Sequence, residues 1–249
     1  MKLKRISTYI TNSLILIVLF SVSVQAQNDS ISNTFDDSNV IKHKYGLRVG
    51  VDLAKLTRSF IDDEYSGFEI AADYRIKEDL YIAAELGFDD KNTVNDYLDV
   101  TTKGSYIKAG IDYNMYDNWL DMDNLIFAGF RIGASTFSHN LNSYTIYNKF
   151  PYWQVLTSND LREYKGLNAV WAELILGLKV EVLNNLFLGI NAQLKFLATE
   201  TNPENFENVF IPGFYKTYDS SGIGAGYSYY ISYRIPLYKR ADKPKGEDK

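Results

Sequence analysis

The chain contains no cysteine and only two histidines, His43 and His139. Without cysteine there is no disulfide framework, no zinc–thiolate site and no lipid-modified cysteine to anchor a lipoprotein. With two histidines there are few candidates for a general base. Long apolar runs are also missing. The longest, Leu14–Phe20 with Val22 and Val24 beyond it, falls short of the ~20 residues a membrane-spanning helix needs. Positive charge is not in excess either: 26 Lys and Arg face 31 Asp and Glu, a formal charge of −5. Nucleic-acid binding needs clustered cations, so that class of partner is excluded. No low-complexity block or linker divides the chain.

What is present begins with an export signal. Lys2, Lys4 and Arg5 precede the short apolar run, and Val24-Gln25-Ala26 offers small or apolar residues for a peptidase. This pattern predicts a signal peptide over residues 1–26. Its removal would take three cations away and leave the chain more acidic. Residues 27–43 are polar, lack periodicity and read as a flexible leader.

From Tyr45 onward the period is two. Eight runs alternate: Tyr45–Leu53, Gly67–Ile76, Leu80–Phe88, Tyr106–Met115, Ile126–Ala134, Ala169–Val182, Leu186–Phe196 and Ile223–Leu237. Successive side chains of a strand point to opposite faces, so this is the pattern of half-exposed β structure. In the last run Ile223, Ala225, Tyr227, Tyr229, Ile231, Tyr233, Ile235 and Leu237 share one parity. Gly224, Gly226, Ser228, Tyr230, Ser232 and Arg234 share the other. Over all runs the second parity carries seven cations (Arg48, Arg75, Lys108, Arg131, Lys179, Lys195, Arg234) and seven carboxylates (Asp52, Glu69, Asp73, Glu85, Asp112, Glu173, Glu181), with many glycines.

Two architectures fit eight alternating strands. A soluble barrel or sandwich would put the apolar parity inside; a transmembrane barrel would turn it to lipid. Three features favour the second. The polar parity is rich in glycine and balanced charge, which suits a crowded interior where ions must pair. Tyr45, Phe68, Phe88, Tyr113 and Phe196 recur near run ends on the apolar parity, as an interfacial girdle requires. Connections alternate short (Lys77–Asp79, Tyr116–Asn124, Asn184-Asn185) and long (Thr57–Glu64, Asp89–Lys103, Phe137–Asn168, Thr199–Ser220). The expected fold is all-β: a single closed, up-and-down, eight-stranded antiparallel transmembrane barrel over 44–239, with a periplasmic tail over 240–249. An interior of that size is filled by its own side chains, so no open pore is expected.

The stretches YGLRVGVDLAK, GFEIAADYRI, LYIAAELGF, TTKGSYIKAGIDYNMYDNW, GLNAVWAELILGLK, NNLFLGI and FIPGFYKTYDSSG resemble an uncharacterised family of Bacteroidota, domain of unknown function 6048. The resemblance covers about Tyr45–Lys239. It implies an outer-membrane barrel of a Gram-negative bacterium, and it implies no activity, cofactor or site residue.

Candidate chemistry is sparse. GIGAG, Gly222–Gly226, runs into a strand, whereas a nucleotide-binding glycine loop must open a helix. His139 opens the longest connection beside Ser138, with Ser135 below it on the polar parity; without a third orienting group it reads as a solvated loop residue rather than a base. Asp62, Asp63, Glu64, Asp89, Asp90, Asp96 and Asp99 lack calcium-ligand spacing and read as a solvated acidic rim. The aromatics Tyr144, Tyr147, Phe150, Tyr152 and Trp153 form the candidate ligand-binding surface. Phe206, Phe210, Phe214, Tyr215 and Tyr218 read as rings packing over the barrel mouth. The expected protein is a non-enzymatic monomer without cofactor or metal. Its partners would be outer-membrane lipid and lipopolysaccharide, with an extracellular ligand at the long loops. Two alternatives stay open: a barrel enzyme acting on lipid or glycolipid, and a soluble periplasmic lipid carrier with the alternation inverted.

Overall fold

The computed structural model describes residues 42–116, 123–145, 157–158, 162–204, 207–215 and 221–241. The expected signal peptide, and nearly all of the expected leader and tail, lie outside these residues. Among the described residues nine strands and one helix follow in order: β1 (Lys42–Asp52), α1 (Leu53–Ile61), β2 (Tyr65–Arg75), β3 (Leu80–Val94), β4 (Leu98–Asn114), β5 (Leu125–Thr145), the two-residue β6 (Thr157–Ser158), β7 (Arg162–Leu183), β8 (Leu186–Glu200) and β9 (Ile223–Ala241). Every strand pairs antiparallel with its neighbour in the chain, apart from β6, which pairs only with β5. The pairing of β9 with β1, Lys42↔Ala241 through Asp52↔Tyr230, closes the ring. The molecule is an eight-stranded, up-and-down transmembrane barrel.

The parity rule holds around this ring. Leu176, Leu86, Ile107, Ile132, Ile190 and Leu237 point outward and are exposed, whereas Arg48, Glu69, Lys108, Arg131, Glu173 and Lys195 are buried in the lumen. An apolar belt facing lipid with charges inside is the reverse of a soluble barrel. On β5 the outward residues are apolar from Ile126 to Ala134 and polar from Thr136 to Asn142, which marks where the strand leaves the hydrocarbon. β7 has 22 residues. At ~3.3 Å per residue and a tilt of ~40° it spans roughly 50–55 Å, about twice the height of the apolar band.

Glycines on the lumen side make room for rings. Gly133 lies opposite Trp171, Gly87 opposite Tyr106 and Gly177 opposite Phe127. In each pair the ring lies over the glycine, where a Cβ would collide with it. A narrow barrel thereby accommodates aromatic side chains that its radius would otherwise exclude.

At one end the connections are short. Asn184-Asn185 turns β7 into β8 with Asn185 at φ 64°, a left-handed conformation asparagine tolerates. The other end departs from the sequence reading. Asp89–Lys103 is not a loop: β3 and β4 continue to a three-residue turn. β5 and β7 likewise run on beyond Phe137 and Asn168. Leu53 and most of Thr57–Glu64 form α1. Asp52 caps it, its carboxylate accepting the Ala54 N–H at 2.7 Å, and Leu53, Leu56 and Phe60 recur at helical spacing. Tyr45 does not join the girdle. Beside a register shift at Tyr45/Gly46 it is buried, 1% exposed, with its ring stacked on Tyr238 at 5.2 Å. Phe68, Phe88, Tyr113 and Phe196 do face outward.

Candidate functional site: an ion-paired lumen closed by a loop

The lumen charges connect in tiers along the barrel axis. At the short-turn end Asp123 bridges Arg75 (3.3 Å) and Arg234 (2.5 Å), and Arg234 also reaches Glu181 (3.2 Å), which lies 3.9 Å from Lys44. In the middle Asp73 takes Arg48 (2.7 Å) and Lys179 (2.8 Å). Lys179 leads on to Asp112 (3.6 Å), and Asp112 to Arg131 (2.8 Å), whose Nε lies 3.5 Å from Glu85. Above them Lys108 pairs closely with Glu85 and reaches Glu69 (3.3 Å) and Glu173 (3.9 Å). Tyr106 and Tyr230 both donate hydroxyl hydrogen bonds to Glu69, and Trp171 Nε1 donates to Glu173 at 2.7 Å.

All fourteen charges named from the sequence face this interior. Thirteen of them are ion-paired, and Asp52 instead serves as the cap of α1. Three buried charges escaped the sequence reading: Lys55, Asp89 and Asp123. Asp89 and Asp123 sit where alternation seemed to have stopped, and Lys55 sits on the helix. The Lys55–Asp89 pair, at 2.7 Å, overturns the placing of Asp89 on a solvated rim. The rest of the rim is exposed or half-buried. Lys91 holds Asp62 and Glu64 at 3.2 and 3.4 Å, and Lys103 holds Asp90 at 3.0 Å. Among the described residues no group of three His, Asp or Glu converges on a metal position.

Alternation of sign around a closed ring is what makes such an interior tolerable. An ion moved out of water costs several kcal/mol, which only close, multiply bonded partners offset. The strands fix those partners opposite one another, as in Glu85↔Lys108 and Glu173↔Lys195. The cavity between Arg48, Asp73, Asp112, Arg131 and Lys179 measures about 30 Å³, room for a few waters at most.

A loop folds into the lumen at the long-connection end. The β8–β9 connection dips inward and turns at Pro212-Gly213, with Ile211 pairing Tyr215. Gly213 has φ 79°, the left-handed position after proline that a type II turn assigns to glycine. Its N–H donates to Asp89 at 2.9 Å, and its carbonyl accepts from Lys195 at 2.6 Å. Phe214 is fully buried and meets Trp171 edge-on at 5.9 Å, in a cluster with Tyr106, Phe137, Leu167 and Ile211.

His139 is a buried strand residue rather than a solvated loop residue, a further correction. β5 continues past it on the lumen parity, above the apolar belt. Its Nδ1 bonds Thr102 Oγ1 at 2.7 Å and its Nε2 bonds Asn208 at 2.9 Å, so it ties the plugging loop to β4 and β5. Burial pushes its pKa below the ordinary imidazole value, against the Asn208 hydrogen bond. Of the candidate ligand-binding aromatics, Tyr144 is half-buried at the end of β5, opposite Leu98 and Ser158. Tyr147, Phe150, Tyr152 and Trp153 lie outside the described residues, as do Phe206 and Tyr218.

These features define a class: a small transmembrane β-barrel with an ion-paired core and a loop plug. The chain belongs to the family Domain of unknown function (DUF6048), whose model matches residues 6–240. No curated protein matches it. Among solved structures it is similar to Ail, the attachment invasion locus protein of Yersinia pestis, at 8% identity and TM-score 0.38, covering 78% of this chain and 99% of that one. It is also similar to Neisserial surface protein A, at 11% identity and TM-score 0.37, covering 78% and 96%.

Proposed function

We propose that this protein is an outer-membrane barrel of a Gram-negative cell. Its short turns and both termini face the periplasm, its signal peptide is removed after Ala26, and its long connections bind an extracellular ligand. The observation that supports this most is the height of the wall. β5 and β7 continue well past the apolar belt, and a filled lumen gives them a stiff base. A stiff scaffold carrying loops above the membrane is suited to presenting a binding surface. The aromatics of the β5–β7 connection would supply that surface, because large rigid rings lose little entropy for the area they bury. The protein is read as non-enzymatic: His139, buried between Thr102 and Asn208, is spent on holding the loop to the wall. The salt-bridged, plugged lumen is read as closed to ions.

Deleting residues 146–156 removes Tyr147, Phe150, Tyr152 and Trp153 and leaves β5 whole. Heat-modifiable gel migration of the barrel is expected to persist, while binding of protein-displaying cells to immobilised glycans is lost. Retained binding would sink the loop assignment. The intact barrel in a planar bilayer is expected to show no steady conductance, and a large stable channel would contradict the closed lumen.

A further inference from the structure

The wall is incomplete on its long-connection side. β1 meets β2 only from Leu47↔Tyr74 to Val51↔Ile70, and β1 ends against β9 at Asp52↔Tyr230. Beyond that point, among the described residues, 65–69 of β2 have only β3 as a strand neighbour, and 223–229 of β9 have only β8. The helix α1 fills the gap. Ser59 Oγ accepts the Gly67 N–H at 2.8 Å, standing in for the missing strand, and its own proton is shared between the Lys55 carbonyl at 2.9 Å and the Gly67 carbonyl at 3.2 Å. Phe60 and Ile61 are exposed on its outer side, while Lys55 is buried inside.

A helix is rounder than a strand and seals the edge imperfectly. A cavity of about 210 Å³ remains between α1 and β9, several times the ~30 Å³ share of one water. It crosses the wall. Ala225 and Tyr227 on its lining belong to the lipid-facing parity, with Tyr227 68% exposed, whereas Lys55 is buried in the lumen. Two cations line it, Lys55 and Arg58, with the tyrosines Tyr65 and Tyr215; the Arg58 guanidinium stands 4.1 Å over the Tyr65 ring. The carboxylates that pair with these cations, Asp89 and Glu69 with Lys55 and Asp62 with Arg58, are not among the lining residues. The cavity therefore presents the Arg58 guanidinium to anything arriving from the bilayer, with the paired Lys55 behind it and the Tyr65 hydroxyl donating to Asp89.

We propose that this seam is a lateral binding site for the net-anionic phosphate head of a membrane lipid, as against a zwitterionic one. Arg58 is the anion clamp, Lys55 a paired cation behind it, and the lipid chains remain outside along Ala225 and Tyr227. Charge-assisted hydrogen bonds to phosphate supply the recognition, and the ~210 Å³ void admits a head group but no whole lipid.

Native mass spectrometry of the full barrel folded in detergent tests this, with phosphatidylglycerol, bisphosphorylated lipid A and phosphatidylcholine as probes. One anionic lipid is expected to stay bound at about ten times the level of phosphatidylcholine. Arg58→Gln, which removes a partly exposed charge, and Ala225→Phe, which narrows the lipid-side mouth, should each reduce retention by about tenfold. Heat-modifiable migration reports that both variants remain folded. Retention of phosphatidylglycerol alone identifies a glycerophospholipid, of lipid A alone a lipopolysaccharide, and of both a site that reads phosphate regardless of the chains. Equal retention of all three lipids, or unchanged retention in folded Arg58→Gln, would overturn the proposal.

Discussion

Across β4, β5 and β7 the wall is hydrogen-bonded almost from rim to rim, with pairing from Leu98↔Tyr144 to Asn114↔Phe127 and from Leu125↔Lys179 to Leu141↔Arg162. Across β9, β1 and β2 it is bonded only in its short-turn half, and a nine-residue helix covers the rest. In lipid an open sheet edge leaves backbone groups without partners, each costing several kcal/mol, so the edge is either paired or covered. The first sector is paired and the second covered. A cover held by side-chain bonds is weaker than a ladder, and the second sector is accordingly where a cavity reaches the lumen from the side.

The largest expected effect comes from charge burial in the two sectors. Arg131 on β5 is buried and holds Asp112 and Glu85. Arg131→Ala leaves those carboxylates without their partner and should cost ~3–5 kcal/mol. Arg58 on α1 has a side chain 42% exposed and a 3.4 Å pair with Asp62, and Arg58→Ala should cost under ~1 kcal/mol. Urea titration of folding into vesicles measures both. Equal losses would erase the distinction between the sectors.

Sequence alternation revealed the paired sector and concealed the covered one, for a physical reason. In β7 the outward residues Val170, Ala172, Leu174, Leu176, Leu178, Val180 and Val182 are apolar without interruption, because lipid selects every second residue. Above the belt that selection lapses. Thr136, Ser138 and Asn140 on β5 look like loop residues because water meets them there, although the strand continues. The same lapse hid His139 and Asp89 inside the barrel. α1 was missed because Tyr45–Leu53 alternates up to its first residue, while its own signal is an aspartate cap and two helical turns. Lys55 consequently went unnoticed as the partner of Asp89. The bulge at Tyr45/Gly46 has no sequence signature that alternation can display. The Pro212-Gly213 turn was legible as a turn, but its insertion between Asp89 and Lys195 depends on contacts between residues far apart in sequence.

Lipid contact sharpens the comparison next. Leu176 stands midway along the outward apolar run of β7 and is 65% exposed. Leu176→Arg places a charge near the bilayer midplane, at ~2–4 kcal/mol. Phe60 on α1 is still more exposed, but its helix sits at the long-connection rim, where a cation reaches head groups. Phe60→Arg should cost ~0–1 kcal/mol. Folding yields in vesicles of fixed thickness separate the two. A Phe60→Arg penalty as large as that of Leu176→Arg would place α1 deep in the hydrocarbon.

The smallest effect is the most local. Ser59 Oγ accepts the Gly67 N–H and shares its own proton between the Lys55 and Gly67 carbonyls, so Ser59→Ala removes the acceptor of the Gly67 N–H, worth ~1 kcal/mol. The barrel should stay folded, because the ladders from β3 to β9 are untouched. Amide exchange should change unevenly. Gly67 N–H, which has lost its acceptor at a seam that water or lipid heads can enter, should exchange several-fold faster. Its neighbour across the sheet, Asp89, remains held by the β2–β3 ladder and by contacts to Lys55 and Gly213, and should not change. Amides at the centre of β5, such as Phe130 and Ile132, should open only with the whole barrel. Uniform acceleration across β2, β3 and β5 would mean that α1 supports the entire ring. Acceleration confined to Gly67 and α1 would show that the seam opens by itself, on a wall that stays shut everywhere else.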